Sequence, residues 1–246
     1  MRHDQRIVSD AYTDVCYQQF SPSENLRRAM RIAAVLTWPI VWPMAMLARR
    51  SDFAFRTCSE LLAVIPYVFG IIVRGEFYRW TLRQMGDNVA IGFGTIFFYR
   101  DVAIGSNVLI GNYNVIHHCD FGSYVLTADH CQFLSGSRYH NIDRIDTPMA
   151  LQGGRLRRVL VADDCWIGAN CVVMNDLGEG CVVGAGSIVT RAVPPFSVAV
   201  GNPARILRSR LDSNTAQSLD SDKATDKATG TASARTFDRP LVGSST

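Results

Sequence analysis

The sequence lacks the patterns that mark secreted, disulfide-stapled and nucleic-acid-binding proteins. Its seven cysteines form no CxxC pair, their number is odd, and the N-terminus carries no secretory signal peptide, so a disulfide framework is not expected. The formal net charge of +3 at pH 7 is too small to indicate a nucleic-acid partner. We therefore expect a cytoplasmic protein with reduced cysteines.

The chain also lacks an apolar run of comfortable membrane-spanning length. Its longest uncharged run, Ile32 to Ala48, has 17 residues, which is the lower limit for a span. Pro39 and Pro43 lie inside it and would kink the helix that a capping box at Ser21 begins. A second apolar run, Leu61 to Val73, is too short to span.

Arginine surrounds these two runs. Between positions 27 and 83 there are nine arginines against three acidic residues, a balance that suits an anionic surface. We interpret residues 21–85 as interfacial or re-entrant helices with Trp38, Trp42 and Trp80 near lipid headgroups, which would place the protein peripherally at the inner face of the membrane. The alternative is a helical cap packed against the core or a partner subunit.

A six-residue rhythm of apolar anchors begins at Gly86. Nine of the twelve steps within its two runs are six residues long, and glycine often follows the anchor directly. Cysteine occupies the fourth place after the anchor at positions 131, 165, 171 and 181, where it serves as a small interior hydrophobe. The anchors are Ile91, Phe97, Ile104, Ile110, Ile116, Phe121, Thr127, Phe133, Val161, Ile167, Val173, Leu177, Val183 and Val189.

A period of six excludes the common regular structures. An α-helix cannot keep one face buried at this period, and an ordinary strand alternates every two residues. Very short strands separated by turns can keep the period, with three strands forming a coil of about 18 residues and coils stacking at about 4.8 Å. The rhythm predicts a mainly β protein whose residues 86–210 form a parallel β-helix of nearly five coils, rather than a sandwich.

The closing coils carry a more specific signature. The segment VADDCWIGANCVVMNDLGEGCVVGAGSIVTRAVPPFSVAVGNPARILRSR, residues 161–210, resembles hexapeptide-repeat acyltransferases of the bacterial sugar and polysaccharide O-acetyltransferase type. The resemblance implies a left-handed β-helix and a homotrimer with active sites between subunits. It also implies transfer of an acetyl group from acetyl-CoA, without a metal, to a sugar hydroxyl of a surface polysaccharide or its lipid-linked precursor.

The rhythm lapses between Phe133 and Val161, where we expect a loop, residues 139–158, to leave the solenoid. The loop opens with YHNIDRIDTP, which resembles the family's loop opening, so the resemblance assigns His140 as the general base. An imidazole suits this task because a hydroxyl must lose its proton as it attacks the thioester. Asp143, or alternatively Asp146, could orient His140, and both could equally be solvated loop acids.

The remaining candidates are assigned by resemblance. Asn112, within GNYN, matches an acceptor-binding asparagine of the family, although asparagine also suits left-handed corners. Trp166 could cap the ladder of anchors instead of binding the coenzyme, and the two basic positions are commonly lysine in the family. The coenzyme A candidates are Trp166 and Gly168 along the groove, Ala185 and Gly186 at the pantetheine arm, and Arg191 and Arg205 at phosphate.

Two other classes of function stay open. A metal-dependent hydratase of the hexapeptide carbonic-anhydrase type would recruit His117 or His118, with His130 and His140, as three nitrogen ligands. A non-catalytic β-helix scaffold would make His140 replaceable. Outside the solenoid, we expect residues 1–20 to be flexible and residues 211–246, rich in Ser, Thr, Asp, Ala and Lys, to be a disordered tail.

Overall fold

The structure, a computed structural model, describes residues 24–212 as three helices followed by sixteen short strands. The predicted flexible N-terminus, the capping box at Ser21 and nearly all of the predicted tail lie outside the described residues. The helices are α1 (Glu24–Ala48), α2 (Asp52–Ala63) and α3 (Tyr67–Thr81), and a 3₁₀ turn spans Met149–Leu151.

The strands build the three faces of a parallel β-helix, which confirms the predicted fold. Face 1 contains β1 (Gln84–Met85), β4 (Ala103–Ile104), β7 (Cys119–Phe121) and β10 (Val159–Val161). Face 2 contains β2 (Val89–Ile91), β5 (Val108–Ile110), β8 (Leu126–Thr127), β11 (Trp166–Ile167), β13 (Val182–Val183), β15 (Ser197–Val200) and the antiparallel β16 (Arg205–Ser209). Face 3 contains β3 (Ile96–Phe97), β6 (Val115–Ile116), β9 (Gln132–Phe133), β12 (Val172–Val173) and β14 (Ile188–Val189).

The predicted anchors form the interior ladder. All fourteen are at most 3% exposed, and they lie in register between coils, with Ile91 beside Ile110 and Ile110 beside Thr127. Cysteines 131, 165, 171 and 181 are also buried, as the rhythm predicted. A hydrogen bond with the Cys181 thiol, followed by burial, raises the pKa of the Cys165 thiol, so Cys165 is poorly suited to act as a nucleophile.

The predicted coil count was too small. The solenoid begins one strand earlier, at β1, and continues beyond Val189 through the bridged residue Val193 to β15. The step from Val189 to Val193 is four residues long, like the step from Val173 to Leu177, and two prolines follow it. Six parallel strands therefore stack on face 2 instead of nearly five coils.

The corners explain why glycine and asparagine recur. At the corner between faces 2 and 3, Tyr113, His130 and Asn170 have φ values of 54°, 60° and 59°, a left-handed conformation that few residue types adopt readily. A Cβ on Gly92 would lie 2.4 Å from the carbonyl oxygen of Gly111 in the next coil. The glycine after an anchor thus lets adjacent coils approach each other.

The N-terminal helices cap the first coil. The ring of Tyr78 on α3 is fully buried and lies 4.5 Å from the ring of Phe97. Its hydroxyl is 2.7 Å from Ser59 Oγ, which accepts a 3.0 Å hydrogen bond from the N–H of Phe97. This face of the helical region therefore packs against the first coil.

A fully buried arginine fixes the cap. Arg74 is 0% exposed and donates through Nε to the carbonyl of Ile91 at 3.0 Å. Its Nη1 donates to Leu62 and Ile65 at 3.1 and 2.7 Å. These acceptors lie at the end of α2, in the turn that follows it, and in β2, so one side chain joins the cap to the first coil. The run Leu61 to Val73 is not one helix, because a turn at Pro66 divides it between α2 and α3.

The opposite surface of α1 is apolar and exposed. Val41, Ala45 and Ala48 form its buried stripe, whereas Val35 and Leu36 are 72% and 73% exposed. α1 runs without interruption through both internal prolines. No helix among residues 24–212 has both the length and the apolar character needed to cross a membrane.

Candidate active site

The inserted loop leaves the solenoid at the corner between faces 3 and 1. It starts directly after β9, about five residues before the predicted start at residue 139, and it ends at β10. Backbone hydrogen bonds pair its two arms: the N–H of Arg157 donates to Ser135, that of Arg155 to Arg138, and that of Asn141 to Gly153, at 2.9, 2.9 and 2.8 Å. His140 lies within this paired segment and is exposed.

A glycine on the returning arm sets how closely the arms approach. A Cβ on Gly154 would lie 1.7 Å from the carbonyl oxygen of Tyr139 and 3.1 Å from the Cα of His140. Only a residue without a side chain fits there. The backbone position of His140 is therefore determined by contact with Gly154.

Aromatic rings surround the base of the loop. The ring of Tyr139 lies 4.8 Å from that of His140 and 6.3 Å, edge-on, from that of His117. The Tyr139 hydroxyl is 3.4 Å from the Tyr99 hydroxyl, a contact that raises the pKa of Tyr99 to about 12. Tyr99 in turn stacks on His118 at 4.1 Å. The ring of Tyr139 thus connects the exposed His140 to the rings at the corner beneath the loop.

These ring contacts were missed from the sequence. The pairs Phe98-Tyr99 and His117-His118 follow anchors of successive coils at the same distance, which is the signal that could have revealed them. Phe98 stacks on His117 at 4.3 Å. Burial, followed by the nearby charges of His118 and Arg56, lowers the pKa of His117, so this ring is expected to be neutral near pH 7.

The predicted orienting acids lie in the loop without touching His140. Within residues 24–212, no hydrogen bond joins Asp143 to the imidazole, and the role of Asp143 stays a prediction. Asp146 accepts two hydrogen bonds from Arg144, at 3.1 and 2.8 Å. The Arg144 guanidinium holds the pKa of Asp146 below its usual range.

Asn112 belongs to the ladder of corners between faces 2 and 3. Its Oδ1 accepts the N–H of Phe93 at 2.9 Å and its Nδ2 donates to Asp129 at 3.4 Å. This corner is at the opposite end of β6 from the corner that carries the loop. Asn112 and His140 are therefore not brought together within one chain.

The predicted donor residues also gather near the corner between faces 2 and 3. Trp166 points outward from face 2, is 53% exposed and lies between Leu126 and Val182, so it does not cap the ladder. Gly168 is buried, because a Cβ there would lie 2.6 Å from the backbone nitrogen of Ala185. Ala185 and Gly186 are exposed at the next corner, where Gly186 has φ +71°.

The two predicted phosphate ligands lie on different edges. Arg205 is exposed in β16, where it pairs with Val200 at the face 2 end of the same corner. Arg191 is exposed after β14, at the corner between faces 3 and 1. Arg205 is thus grouped with Ala185 and Gly186, whereas Arg191 is not.

The histidines of the hydratase alternative do not converge. His130 stacks on Tyr113 at 5.0 Å at the corner between faces 2 and 3, whereas His117, His118 and His140 lie at the corner between faces 3 and 1. Residues 24–212 contain no group of three His, Cys, Asp or Glu side chains that could hold a metal ion. Within one copy of residues 24–212, these histidines therefore do not form the three-nitrogen site that this alternative needs.

Comparison with known proteins gives partial sequence matches. No family model matches the chain. A probable acetyltransferase of Mycobacterium tuberculosis is 35% identical over 139 residues, which is 55% of this chain and 44% of that protein. A probable macrolide acetyltransferase of Lysinibacillus sphaericus is 27% identical over 121 residues, 40% of this chain and 67% of that protein. The chain therefore spans less than half of the mycobacterial relative.

Comparison of folds covers more of the chain. A maltose O-acetyltransferase from Clostridium difficile matches with a TM-score of 0.53 and 23% identity over 64% of this chain and 87% of that one. The chain has the fold of the hexapeptide-repeat acetyltransferases. A second structure with this hexapeptide-repeat fold, a galactoside acetyltransferase in complex with coenzyme A, matches with a TM-score of 0.50 and 17% identity over 83% and 88% of the two chains.

Gly154→Ala tests the placement of His140. The added methyl group forces the backbone of Tyr139 and His140 to move, and we expect turnover to fall about 10²-fold while the coils remain folded. Steady-state kinetics together with thermal unfolding would measure both effects. The matched control is Gly153→Asn, because Gly153 has φ +71° and open space around its Cβ position, and asparagine tolerates that conformation. Equal losses in both variants would contradict the proposed contact.

Proposed function

We propose that this protein is an acetyl-CoA-dependent O-acetyltransferase that acts on a sugar hydroxyl. The observation that carries the proposal is His140, held by a paired loop beside the coils of a hexapeptide-repeat solenoid. The relatives named acetyltransferases support the reaction class. The acceptor is proposed to belong to a surface polysaccharide or its lipid-linked precursor.

The mechanism uses His140 as a general base. Its imidazole accepts the proton of the sugar hydroxyl as the hydroxyl oxygen attacks the thioester carbonyl, which gives a tetrahedral oxyanion. When the carbon–sulfur bond breaks, the imidazolium returns the proton to the departing sulfur, so coenzyme A leaves as a thiol and the acetyl ester remains on the sugar. A backbone N–H is the expected oxyanion donor.

The donor is proposed to lie along the outer surface of face 2. Trp166 offers an exposed apolar ring, and the N–H of Ala185 has no protein acceptor among residues 24–212. The exposed corner at Gly186 allows a pantetheine arm to approach the backbone. Arg205 supplies a cation on the same edge for phosphate, and Arg191 is the second proposed phosphate ligand.

A homotrimer with sites between subunits would unite these residues. Asn112 and most donor residues lie at one corner, and His140 lies at another. The site would be complete if the inserted loop of a neighbouring copy lay against the outer surface of face 2 of the first copy, where the donor is proposed to bind. The separation of these residues within one chain supports this assembly.

We expect His140→Ala to lower acetyl transfer by about 10²-fold or more, because it removes the proton acceptor and no ladder residue. Acetyl transfer to a sugar should be followed by free thiol release, and acetyl-CoA affinity should stay nearly unchanged. Activity within about tenfold of the parent would defeat the assignment of His140 as the base, and a parent that transfers no acetyl group would favour the non-catalytic scaffold. Inactivation of the parent by a chelator would favour the hydratase.

The location is proposed to be the cytoplasm, with peripheral contact at the inner face of the membrane. The exposed Val35, Leu36 and Ile40 on α1 and the exposed Arg49 and Arg50 after it support this contact, because apolar side chains beside cations suit an anionic lipid surface.

Vesicle flotation of the full chain tests this contact. We expect binding to vesicles that contain anionic lipid, weakening with salt, and a clear loss of binding in Leu36→Glu. Leu160→Glu is the control, because Leu160 is 49% exposed on face 1, away from the helices. A parent that never floats refutes lipid contact, and a change in oligomer size in Leu36→Glu would assign the surface to a partner subunit.

A further inference from the structure

The inserted loop encloses a second polar feature beside His140. A pocket of about 410 Å³ lies between its two arms. The polar residues that line it are Arg138, Arg144, Arg155, Asp143, Asn141 and Gln152.

Cationic charge predominates in this pocket. Three arginines face one lining carboxylate, and the bidentate partner of Arg144 is Asp146, which is not among the lining residues. Elsewhere in the loop, Arg157 pairs with Asp176 and Arg158 with Asp101. Within residues 24–212, neither Arg138 nor Arg155 forms an ion pair. Arg138 and Arg155 therefore line one space, and neither is ion-paired with a protein carboxylate.

The floor of the pocket is preformed. The Gln152 side chain accepts from the N–H of Arg144 at 3.1 Å and donates to the carbonyls of Arg144 and Thr147 at 2.6 and 2.7 Å. Asn141 Nδ2 donates to the carbonyl of Gln152 at 3.0 Å. Because these bonds already hold the backbone, a ligand would not have to order it.

The pocket adjoins the proposed base. Arg138 and Asn141 lie on either side of His140 in the chain. The N–H of Arg155 donates a hydrogen bond to the carbonyl of Arg138 on the opposite arm of the loop, at 2.9 Å. An anionic group held here would therefore be bound by the same loop arm that carries His140. Guanidinium forks match phosphate oxygens in geometry as well as charge.

We propose that this arginine pocket binds a phosphate carried by the acceptor, so that the substrate is a sugar phosphate ester or a glycosyl diphosphate rather than a neutral sugar. The inference rests on the proposed acetyl transfer and names the chemical class of its acceptor. The phosphates of coenzyme A are the other source of the same chemistry, and the experiment separates the two.

The test compares Arg138→Gln and Arg155→Gln with the parent, using neutral sugars, the corresponding sugar 1-phosphates, and both acetyl-CoA and its form without the 3′-phosphate. We expect the parent to prefer the phosphorylated acceptor. Each variant should raise KM for that acceptor about tenfold or more, without changing KM for the neutral sugar or for acetyl-CoA. Arg79→Gln, an exposed arginine on α3, is the control for loss of one charge and should leave every constant unchanged.

Titration calorimetry with inorganic pyrophosphate measures the affinity of the pocket for an anion without any acetyl transfer. The parent and Arg79→Gln should bind it, and each pocket variant should bind it about tenfold more weakly or not at all. No binding by the parent, equal use of neutral and phosphorylated acceptors, or a rise in KM confined to acetyl-CoA would overturn the inference. If pyrophosphate binds as expected but no acceptor is acetylated, the proposed reaction fails while the anion pocket stands.

Discussion

The interior of the solenoid is filled, and the position of every candidate functional group follows from that constraint. Successive coils hydrogen-bond along three faces, and the interior anchors are at most 3% exposed. Close packing of this kind leaves no space for a ligand. A side chain that meets a substrate must therefore lie on an outer face, at a corner, or on chain that has left the coils.

The inserted loop is the largest departure from the coils, and its rigidity matters more than its length. Its arms are joined by backbone hydrogen bonds, Gly154 fits against Tyr139, and Tyr139 packs between His117 and His140. A catalytic group on an unpaired loop would sample many orientations, which lowers the fraction that is productive. The same pairing also shapes the arginine pocket, so the proposed base and the proposed anion site share one support.

Periodicity made much of the fold predictable, because each coil repeats the same local requirement. All fourteen anchors could be read from the sequence, as could the interior cysteines and the break at the loop. The coil count failed at both ends of the solenoid, at β1 and beyond Val189, where a step of four residues leads to Val193. The packing of the helical cap could not be predicted for another reason. Arg74 donates hydrogen bonds to carbonyl groups of segments distant in the chain, and no sequence pattern indicates such contacts.

The candidate site was predictable only in part. The residue types of His140, Trp166 and Arg205 could be matched to motifs, but the ring contacts of Tyr139 depend on how the loop folds back onto two coils. The presence of Arg138 and Arg155 in one pocket likewise requires the two arms to pair. Sequence spacing indicates which residues are neighbours within the coils. These contacts instead join the two arms of the inserted loop to each other and to the corner beneath the loop.

The most direct test of the account is acceptor-dependent thiol release. The protein would be incubated with acetyl-CoA and a panel of sugars and sugar phosphates, with free thiol followed over time and the products analysed by mass spectrometry. The account predicts thiol release that requires an acceptor and is matched by one acetyl ester per thiol. Thiol release that is independent of acceptor, or acceptors that never gain an acetyl group, would contradict it.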